Sequence, residues 1–575
     1  MHFLQIWISK KNVIACVRVM ALAWALHAQA QILPRPQADA GSIQQQINRD
    51  REFLKSKEIL IPVIPRSDQR KSSGGPQVLV RQFKFIGNTR FKTVELSDIT
   101  SHFVGRLIEF SELEKATYLV AEYYRSFGYV VKVSLPPQDI VDGVVTMAIM
   151  EAQFGKVLVD SANSQRIGNQ RILRTVAAFQ KSGDTLNALN IERALAILSD
   201  LAGIQVEGGF YEGGNDGQTD LIVSLKDLPS LDVDVAADNT GARTTGHNRV
   251  ATNVAVNSPF GMGDQFTVNT LSSLGSEYVR LAQIFPVGYS GFKLGVNTSH
   301  LNYRLITQDF SALMAKGTAD AYGVESSYPF IRSRPSNVNG VLGIDRKHYL
   351  NQTGAGITSD YYSRSISLGI NGTFRNSEIG GGKTSFSLMS VGGSLDLGPS
   401  PSTFQSDDAS KAQTAGHFNK FKYAIARDQE LDRGFSIYSA FSGQWASKNL
   451  DSSEKFYLGG IYGVRAYPSS EAGGALGQLA NLEIRNRWNA SNTVTWFYDY
   501  GRVLVSYRNA DPSSLNKYPL KGYGLAYGFV TAGGLSLKAT LARRVGSNPN
   551  PTSVGNDQDG SLVKNRLWLS ASAAF

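Results

Sequence analysis

Cysteine is nearly missing from this chain. Cys16 is the single one among 575 residues, and it falls inside an N-terminal stretch that reads as a secretory signal, so the mature chain has no thiol. Disulfides and cysteine-bound metals are thereby excluded, which suits a protein that crosses an oxidising compartment. Long apolar runs are missing too. After the signal none reaches the roughly twenty residues of a spanning helix, so a membrane role would have to be carried by strands. Histidine is sparse: His102, His247, His300, His348 and His417 remain after residue 30, without metal-ligand spacing. No nucleophile elbow occurs. Gly380-Gly-Gly-Lys-Thr384 imitates a phosphate loop, but Ser377 stands where its first Gly should be, and the setting is strand–turn–strand. These absences speak against an enzyme, and no cofactor or metal is expected. No concentrated Lys/Arg stripe is present either. Nucleic-acid binding is therefore not expected, despite a formal net charge of +10, from which the signal's Lys10, Lys11 and Arg18 take three.

What the chain does hold is glycine, at 56 residues, and aromatics, at 10%. That mixture suits a β-rich protein with many turns. Residues 1–30 read as the signal, with Ala28-Gln29-Ala30 before Gln31. Residues 31–60 carry one helix, over Ala40–Lys57. Ile43, Ile47 and Leu54 form a thin apolar stripe on it, and Gln, Arg, Asp and Glu cover the rest. A helix polar on most sides is either a linker piece or sits in a wet cavity. Residues 61–77 hold Pro62, Pro65, Ser72, Ser73, Gly74, Gly75 and Pro76, and read as a flexible tether.

Residues 78–155 read as a small α/β unit. Val78–Ile86 alternates as one strand. Ser111-Glu-Leu-Glu114 is a capping box opening a helix that Gly128 ends, and strands Val130–Leu135 and Val144–Ala152 follow. Residues 156–228 repeat the order, with a strand at Lys156–Asp160, helices near Ile172–Phe179 and Asn190–Leu201, and strands Ile204–Tyr211 and Thr219–Leu225. The repeated order points to duplication.

From Ser230 onward the pattern is alternation without helices. Sixteen candidate strands lie between there and Phe575. Tight connections at Ser258–Asp264, Pro286–Gly291, Gly380–Lys383, Leu431–Gly434, Asn489–Asn492 and Thr531–Gly534 alternate with long polar ones such as Asp396–His417, Ser506–Tyr518 and Gly546–Gly560. Short turns on one rim and long loops on the other are what an outer-membrane barrel requires, and a sandwich has no reason to sort its loops so. An even strand count also puts both barrel ends on the side where residues 31–228 lie. The last strand sets Leu567, Leu569, Ala571, Ala573 and Phe575 on one face. Between strand-like runs at Ser436–Trp445 and Ala475–Trp488 lies a loop rich in Gly and aromatics, with Arg465 at its tip. Asp499 stands amid aromatics in the next strand but one. If the loop folds into the lumen, Arg465 needs a carboxylate there, since a buried unpaired guanidinium is costly. Asp499 is the expected partner and Glu483 the competing one.

In this order the chain resembles the two-partner secretion transporters (TpsB). Phe85-Ile-Gly-Asn-Thr89 and Leu135-Pro-Pro-Gln-Asp-Ile140 resemble the family's first POTRA unit. Leu189-Asn-Ile-Glu-Arg-Ala194 with Leu201-Ala-Gly203 resembles the second. Asp238-Asn-Thr-Gly241, Thr245-Gly246 and Gly261-Met-Gly-Asp264 match the start of the barrel. Val464-Arg-Ala-Tyr467 resembles the Val-Arg-Gly-Tyr loop motif, and Glu483, Arg485, Phe497, Asp499 and Gly501 its partner motifs. Ala466 stands where the family usually has Gly, implying a loop tip with φ below zero. Ala152 and Ala202 replace a usual Gly and Pro.

The resemblance implies a sixteen-stranded outer-membrane barrel over residues 229–575, two POTRA units in the periplasm (78–155 and 156–228) and a plug helix within residues 31–60. It implies an exporter of an unfolded partner exoprotein, a large β-helical adhesin, haemolysin or toxin. Lumen residues Val464, Arg465, Tyr467, Glu483, Phe497, Asp499 and Gly501 would hold the loop, and Gln138, Leu189 and Arg193 would belong to the cargo-binding region. Lipid and lipopolysaccharide would surround the barrel, and Phe575 would address it to the assembly machinery. An insertase of the same superfamily is the alternative; it predicts more POTRA units and no plug helix.

Overall fold

Alternation along residues 231–574 produces a closed antiparallel barrel of sixteen strands, paired in sequence order, with the last, Asn565–Ala574, meeting the first, Leu231–Asp238. The computed structural model describes residues 38–54, 77–376, 381–509, 514–552 and 555–575. The expected signal, and all of the expected tether except Gln77, lie outside the described residues. No helix among the described residues is long and apolar enough to span a membrane, so strands do the crossing. Closure matters because every main-chain donor in hydrocarbon must find a partner within the sheet. The strand Gly356–Asn376 shows the chemistry of the wall. Ser363 and Ser365 are buried toward the lumen, whereas Ile366, Leu368 and Ile370 are exposed on the other face.

The tight connections expected from the sequence lie on the rim that carries the N-terminal units, but two-residue connections at 274–275 and 354–355 stand on the opposite rim, so turn length does not sort completely by rim. A further tight connection on the N-terminal rim, at 333–335, escapes notice in the sequence because Ser333-Arg-Pro335 lacks a glycine. The long connections gather on the opposite rim. One of them folds a helix, Ser402–Ser410, onto itself.

Each N-terminal unit is a three-stranded sheet with its first strand parallel to its third and its second on the edge. In the first unit these are Gln82–Ile86, Val144–Glu151 and Val131–Ser134; in the second, Gln153–Asn163, Gln218–Asp227 and Ile204–Glu212. Two helices cover each sheet. Phe83, Phe85, Leu96, Leu113, Val120 and Met147 fill the first core, and Ile172, Val176, Ile191, Leu195 and Val223 the second.

Two local expectations need correction. The run Val78–Ile86 is two strands, Gln77–Val80 and Gln82–Ile86. At Arg81 the backbone N–H groups of Arg81 and Gln82 both turn to the Gly143 carbonyl, at 2.8 and 3.3 Å, and the halves pair with different partners. The helix Phe110–Ser126 begins earlier than Ser111–Glu114 implies, and its capping box is Glu109 with Glu112. Strand Arg106–Glu109 runs straight into it, leaving no room for a later cap.

The N-terminal arm is fastened at both joints. Val130 N–H donates to Leu186 O at 3.1 Å and Ala188 N–H to Gly128 O at 2.7 Å, joining the two units by main-chain bonds. The second unit grips the barrel rim through a forked pair, Arg332 to Asp200 at 2.6 and 2.8 Å. Glu151 anchors the first unit internally. Burial alone would raise its carboxyl, but bonds from Thr89, the Arg90 and Thr89 backbones and Tyr124 outweigh that and hold it below the usual range.

Candidate functional site

The long connection 447–475 does not project outward; it folds into the lumen. Its neck is the short ladder of Phe456–Tyr457 with Gly473–Gly474. The tip is wound so tightly that a Cβ on Gly463 would lie 1.9 Å from the Leu458 carbonyl oxygen. Leu458, Val464, Ala466 and Tyr467 are fully or almost fully buried, packed with Leu479, Phe497, Leu520 and Ala542 of the barrel wall. Gly501 lets them dock, since a Cβ there would come within 2.7 Å of a Leu458 methyl and 3.2 Å of one on Val464. Ala466 does not take a positive φ, as expected from its methyl. Gly522 makes room for that methyl: a Cβ on Gly522 would sit 2.6 Å from it.

Arg465 reaches two carboxylates, not one. Nε and Nη2 fork onto Asp499 at 2.9 and 2.7 Å, and Nη1 donates to Glu483 at 2.8 Å. Its backbone N–H also donates to Asp499, at 3.0 Å. The choice between Asp499 and Glu483 expected from the sequence is therefore replaced by a shared site. The register explains it, for Asp499 is opposite Asn481 and Phe497 opposite Glu483. Both acids thus share the inward face as diagonal neighbours. The guanidinium lies 3.6 Å above the centre of the Phe497 ring, which covers its remaining face. Asn481 satisfies Asp499 at 2.7 Å, and Arg485 satisfies Glu483 at 2.8 Å. Asp499 has no solvent exposure. Its two oxygens are fully used, as a buried charge requires. Tyr467 lies under the Arg544 guanidinium at 4.6 Å.

The second occupant of the lumen is the helix Ala40–Leu54, the described part of the expected 31–60 segment. Ile43 and Ile47 pack on Tyr278, Leu301, Tyr349 and Tyr361 of the wall. Its polar residues Ser42, Gln44, Gln46 and Asp50 are buried as well, which is why so polar a helix is stable here. Asp50 pairs with Arg249 at 2.7 Å. Arg249 also holds Asp238 at 3.0 Å. Arg49 donates to the carbonyls of Tyr457 and Ser469 in the lumen loop at 2.9 and 3.3 Å, so helix and loop form one filling. A third attachment comes from Glu454 in the loop, which meets Lys420 at 2.6 Å and Lys347 at 3.2 Å.

Asp50, Arg249, Lys347, Lys420 and Glu454 do not stand out in the sequence. For Arg249, Lys347 and Lys420 the signal is a charge on an inward position of an alternating strand, readable only once the register is known, whereas Asp50 lies on the lumen helix and Glu454 in the lumen loop. Removing a buried pair's cation leaves its acids unpaired and typically costs about 3–5 kcal/mol. Arg249→Met is accordingly expected to loosen the helix and raise the frequency of open-channel events in planar bilayers. Unchanged gating would show that the ion pair does not retain the helix.

The candidates in the two N-terminal units are dispersed. Gln138 closes its own loop, donating to Thr146 O at 2.8 Å and accepting from Thr146 N–H at 2.6 Å. Arg193 is spent on the barrel rim, donating to Pro329 O at 2.7 Å and Phe330 O at 3.1 Å. Leu189 keeps an exposed side chain.

Comparison with known proteins gives this geometry a family. The model of the haemolysin secretion/activation protein family ShlB/FhaC/HecB matches residues 217–529, more than half of the chain. The chain belongs to that family. A model of the ShlB-type POTRA domain matches residues 78–152. The chain is similar to the heme/hemopexin transporter protein HuxB of Haemophilus influenzae strain Rd, 24% identical over 97% of this chain and 98% of that one. It is also similar to the outer membrane transporter CdiB of Dickeya dadantii, 23% identical over 78% of each. Among solved structures, CdiB from Escherichia coli shares the fold, with a TM-score of 0.70 and 18% identity over 95% of this chain and all of that one. As a member of this family, the protein is a two-partner secretion transporter of the outer membrane, with its POTRA domains in the periplasm, and it exports a secreted partner protein.

Proposed function

We propose that this ShlB-type transporter rests with its pore filled by the helix Ala40–Leu54 and the Arg465 loop. An extended segment of the partner pairs with a free POTRA edge, the helix withdraws, and the cargo passes unfolded through the lumen to fold outside. The observation that carries this reading is the difference between the two fillings. The loop is covalently part of the wall and locked by a forked ion pair. The helix is held by one ion pair, a few hydrogen bonds and two isoleucines, contacts that water and a passing chain can replace. Residues 1–30 would direct export and be removed. Phe575, exposed at the end of the last strand, would be the handle for the assembly machinery, and lipid with lipopolysaccharide would surround the outward face. A β-helical adhesin, haemolysin or toxin fits the route, because such a chain can stay extended until it emerges.

Strands Val131–Ser134 and Ile204–Glu212 each lie on the edge of their sheet and offer main-chain groups for β-augmentation. Leu189 is the exposed apolar contact beside them that we assign to cargo. Gln138 and Arg193 support the site indirectly, by fixing its loop and its arm. Proline removes a donor without removing a side-chain surface. Proline placed at successive positions of the edge in use is expected to block secretion at every second residue while the protein still inserts. Uniform tolerance along both edges would overturn the pairing.

A further inference from the structure

The barrel closes on its shortest ladder. Strands Asn565–Ala574 and Leu231–Asp238 pair from Ser570 with Asp238 to Ala574 with Asp234, and Phe575 adds one pair with Val233 through main-chain bonds of 2.8 and 3.2 Å. These six pairs are fewer than at any other junction of the wall. Beyond Asp238 the Asn239 backbone N–H still donates to Leu569 O at 3.2 Å. The Asn239 side-chain amide adds to this pairing, donating to Leu567 O at 3.1 Å and accepting from Leu569 N–H at 2.8 Å. Asn239 belongs to the Asp238–Gly241 stretch, of which the lumen ion pair with Arg249 engages Asp238 alone.

The tip of the lumen loop lies across this junction. On the last strand, the buried Trp568 donates its indole N–H to the Arg465 carbonyl at 2.8 Å. On the first-strand side, Ser469, four residues further along the loop, donates its hydroxyl to the Thr240 carbonyl at 3.0 Å. Thr240 also receives the Gln46 amide of the plug helix, at 3.3 Å. We propose that the loop is a strap across the barrel seam: one segment, Arg465 to Ser469, binds the last strand through Trp568 and the first through Thr240, and so holds the two ends of the sheet together.

The physical case rests on where the strength lies. A six-pair ladder contributes fewer hydrogen bonds than its neighbours, and a strand pair joined so briefly is the natural place for a closed sheet to part. Each strap bond is buried, so breaking it leaves a polar group without water. The Arg465 ion pairs fix the loop to strands Leu476–Arg487 and Asn492–Leu504, which gives the strap a firm base away from the seam. Undocking the loop would then do two things at once: it would remove one of the two fillings of the lumen and release the seam, letting the wall widen for a bulky cargo segment.

The test uses the purified full-length protein without cargo, so it does not depend on how POTRA units capture a partner. Trp568→Phe and Ser469→Ala each remove a donor; the first keeps an aromatic ring, and the second changes volume little. They are combined and compared with Glu454→Gln, which loosens the loop on the far wall. Each protein is prepared with and without a seam disulfide made by Ala237→Cys and Ala571→Cys, positions directly opposite in register. The temperature at which the compact barrel band is lost on unreduced gels is then read. The expected result is a drop of several degrees for the double variant that vanishes in the disulfide background, while the Glu454→Gln drop persists there. If the double variant does not assemble, Ser469→Ala alone is measured in the same two backgrounds. A wild-type melting temperature, or a drop that the disulfide does not cancel, overturns the strap.

Discussion

Deleting residues 40–54 is expected to turn a mostly closed barrel into a large, steadily conducting pore that still inserts normally. A sixteen-stranded wall encloses a lumen wide enough for water and solutes unless something fills it. The helix fills it with buried Ala40, Ile43 and Ile47 and with the buried polar residues Ser42, Gln44, Gln46 and Asp50. None of these contacts belongs to the strand ladders, so their loss leaves the wall intact. The loop stays behind, and the pore should therefore be smaller than that of a barrel lacking both. Conductance equal to that of the complete protein would mean that the loop alone seals the lumen and that the helix is a linker.

Arg465→Ala and Asp499→Ala are each expected to suppress secretion by about an order of magnitude or more. The reasoning is one of orphaned charge. Without the guanidinium, Asp499 keeps only the Asn481 amide at 2.7 Å and one backbone N–H, and Glu483 faces it unshielded except by Arg485. Breaking one side of a buried pair costs about 3–5 kcal/mol, less in a wet lumen. Even 1.4 kcal/mol moves the docked fraction of the loop tenfold. Because two acids share the cation, exchanging Arg465 and Asp499 should rescue poorly: an aspartate at 465 would confront Glu483. The informative comparison is two double-mutant cycles, Arg465→Ala with Asp499→Ala and Arg465→Ala with Glu483→Ala. Both should show coupling, the first more strongly, since its bond is forked and its acid fully buried. Purely additive losses in both would return Arg465 to an ordinary loop residue.

How much of this could be read in advance depended on distance along the chain. The barrel was legible because lipid on one side and water on the other impose alternation, and because the long connections all fall on one rim. Arg465 and Asp499 were legible because an isolated acid amid Trp496, Phe497, Tyr498 and Tyr500 needs a reason. That Glu483 shares the same guanidinium was not, because it follows from the register between two strands, which alternation alone does not fix. The same holds for Asp50 with Arg249, 199 residues apart, and for Trp568 with the Arg465 carbonyl. Nearer errors had local causes. Alternation continues through Arg81 although the strand does not, since the turn is made by Gly143 from elsewhere in the fold. Glu109 with Glu112 and Ser111 with Glu114 satisfy the same capping pattern, and only the end of the preceding strand decides between them.

Export through the lumen is the central claim, and a cross-link to moving cargo tests it most directly. Asn253 lies on the same strand as Arg249 and on the same inward face, bonded to Asp234 at 3.0 Å, whereas Val254 next to it points to the opposite side of the wall. A photo-crosslinking residue at position 253 should capture the partner exoprotein during active secretion, and the same residue at position 254 should not. Capture at 254 alone, or at neither position while secretion proceeds, would contradict passage through the barrel.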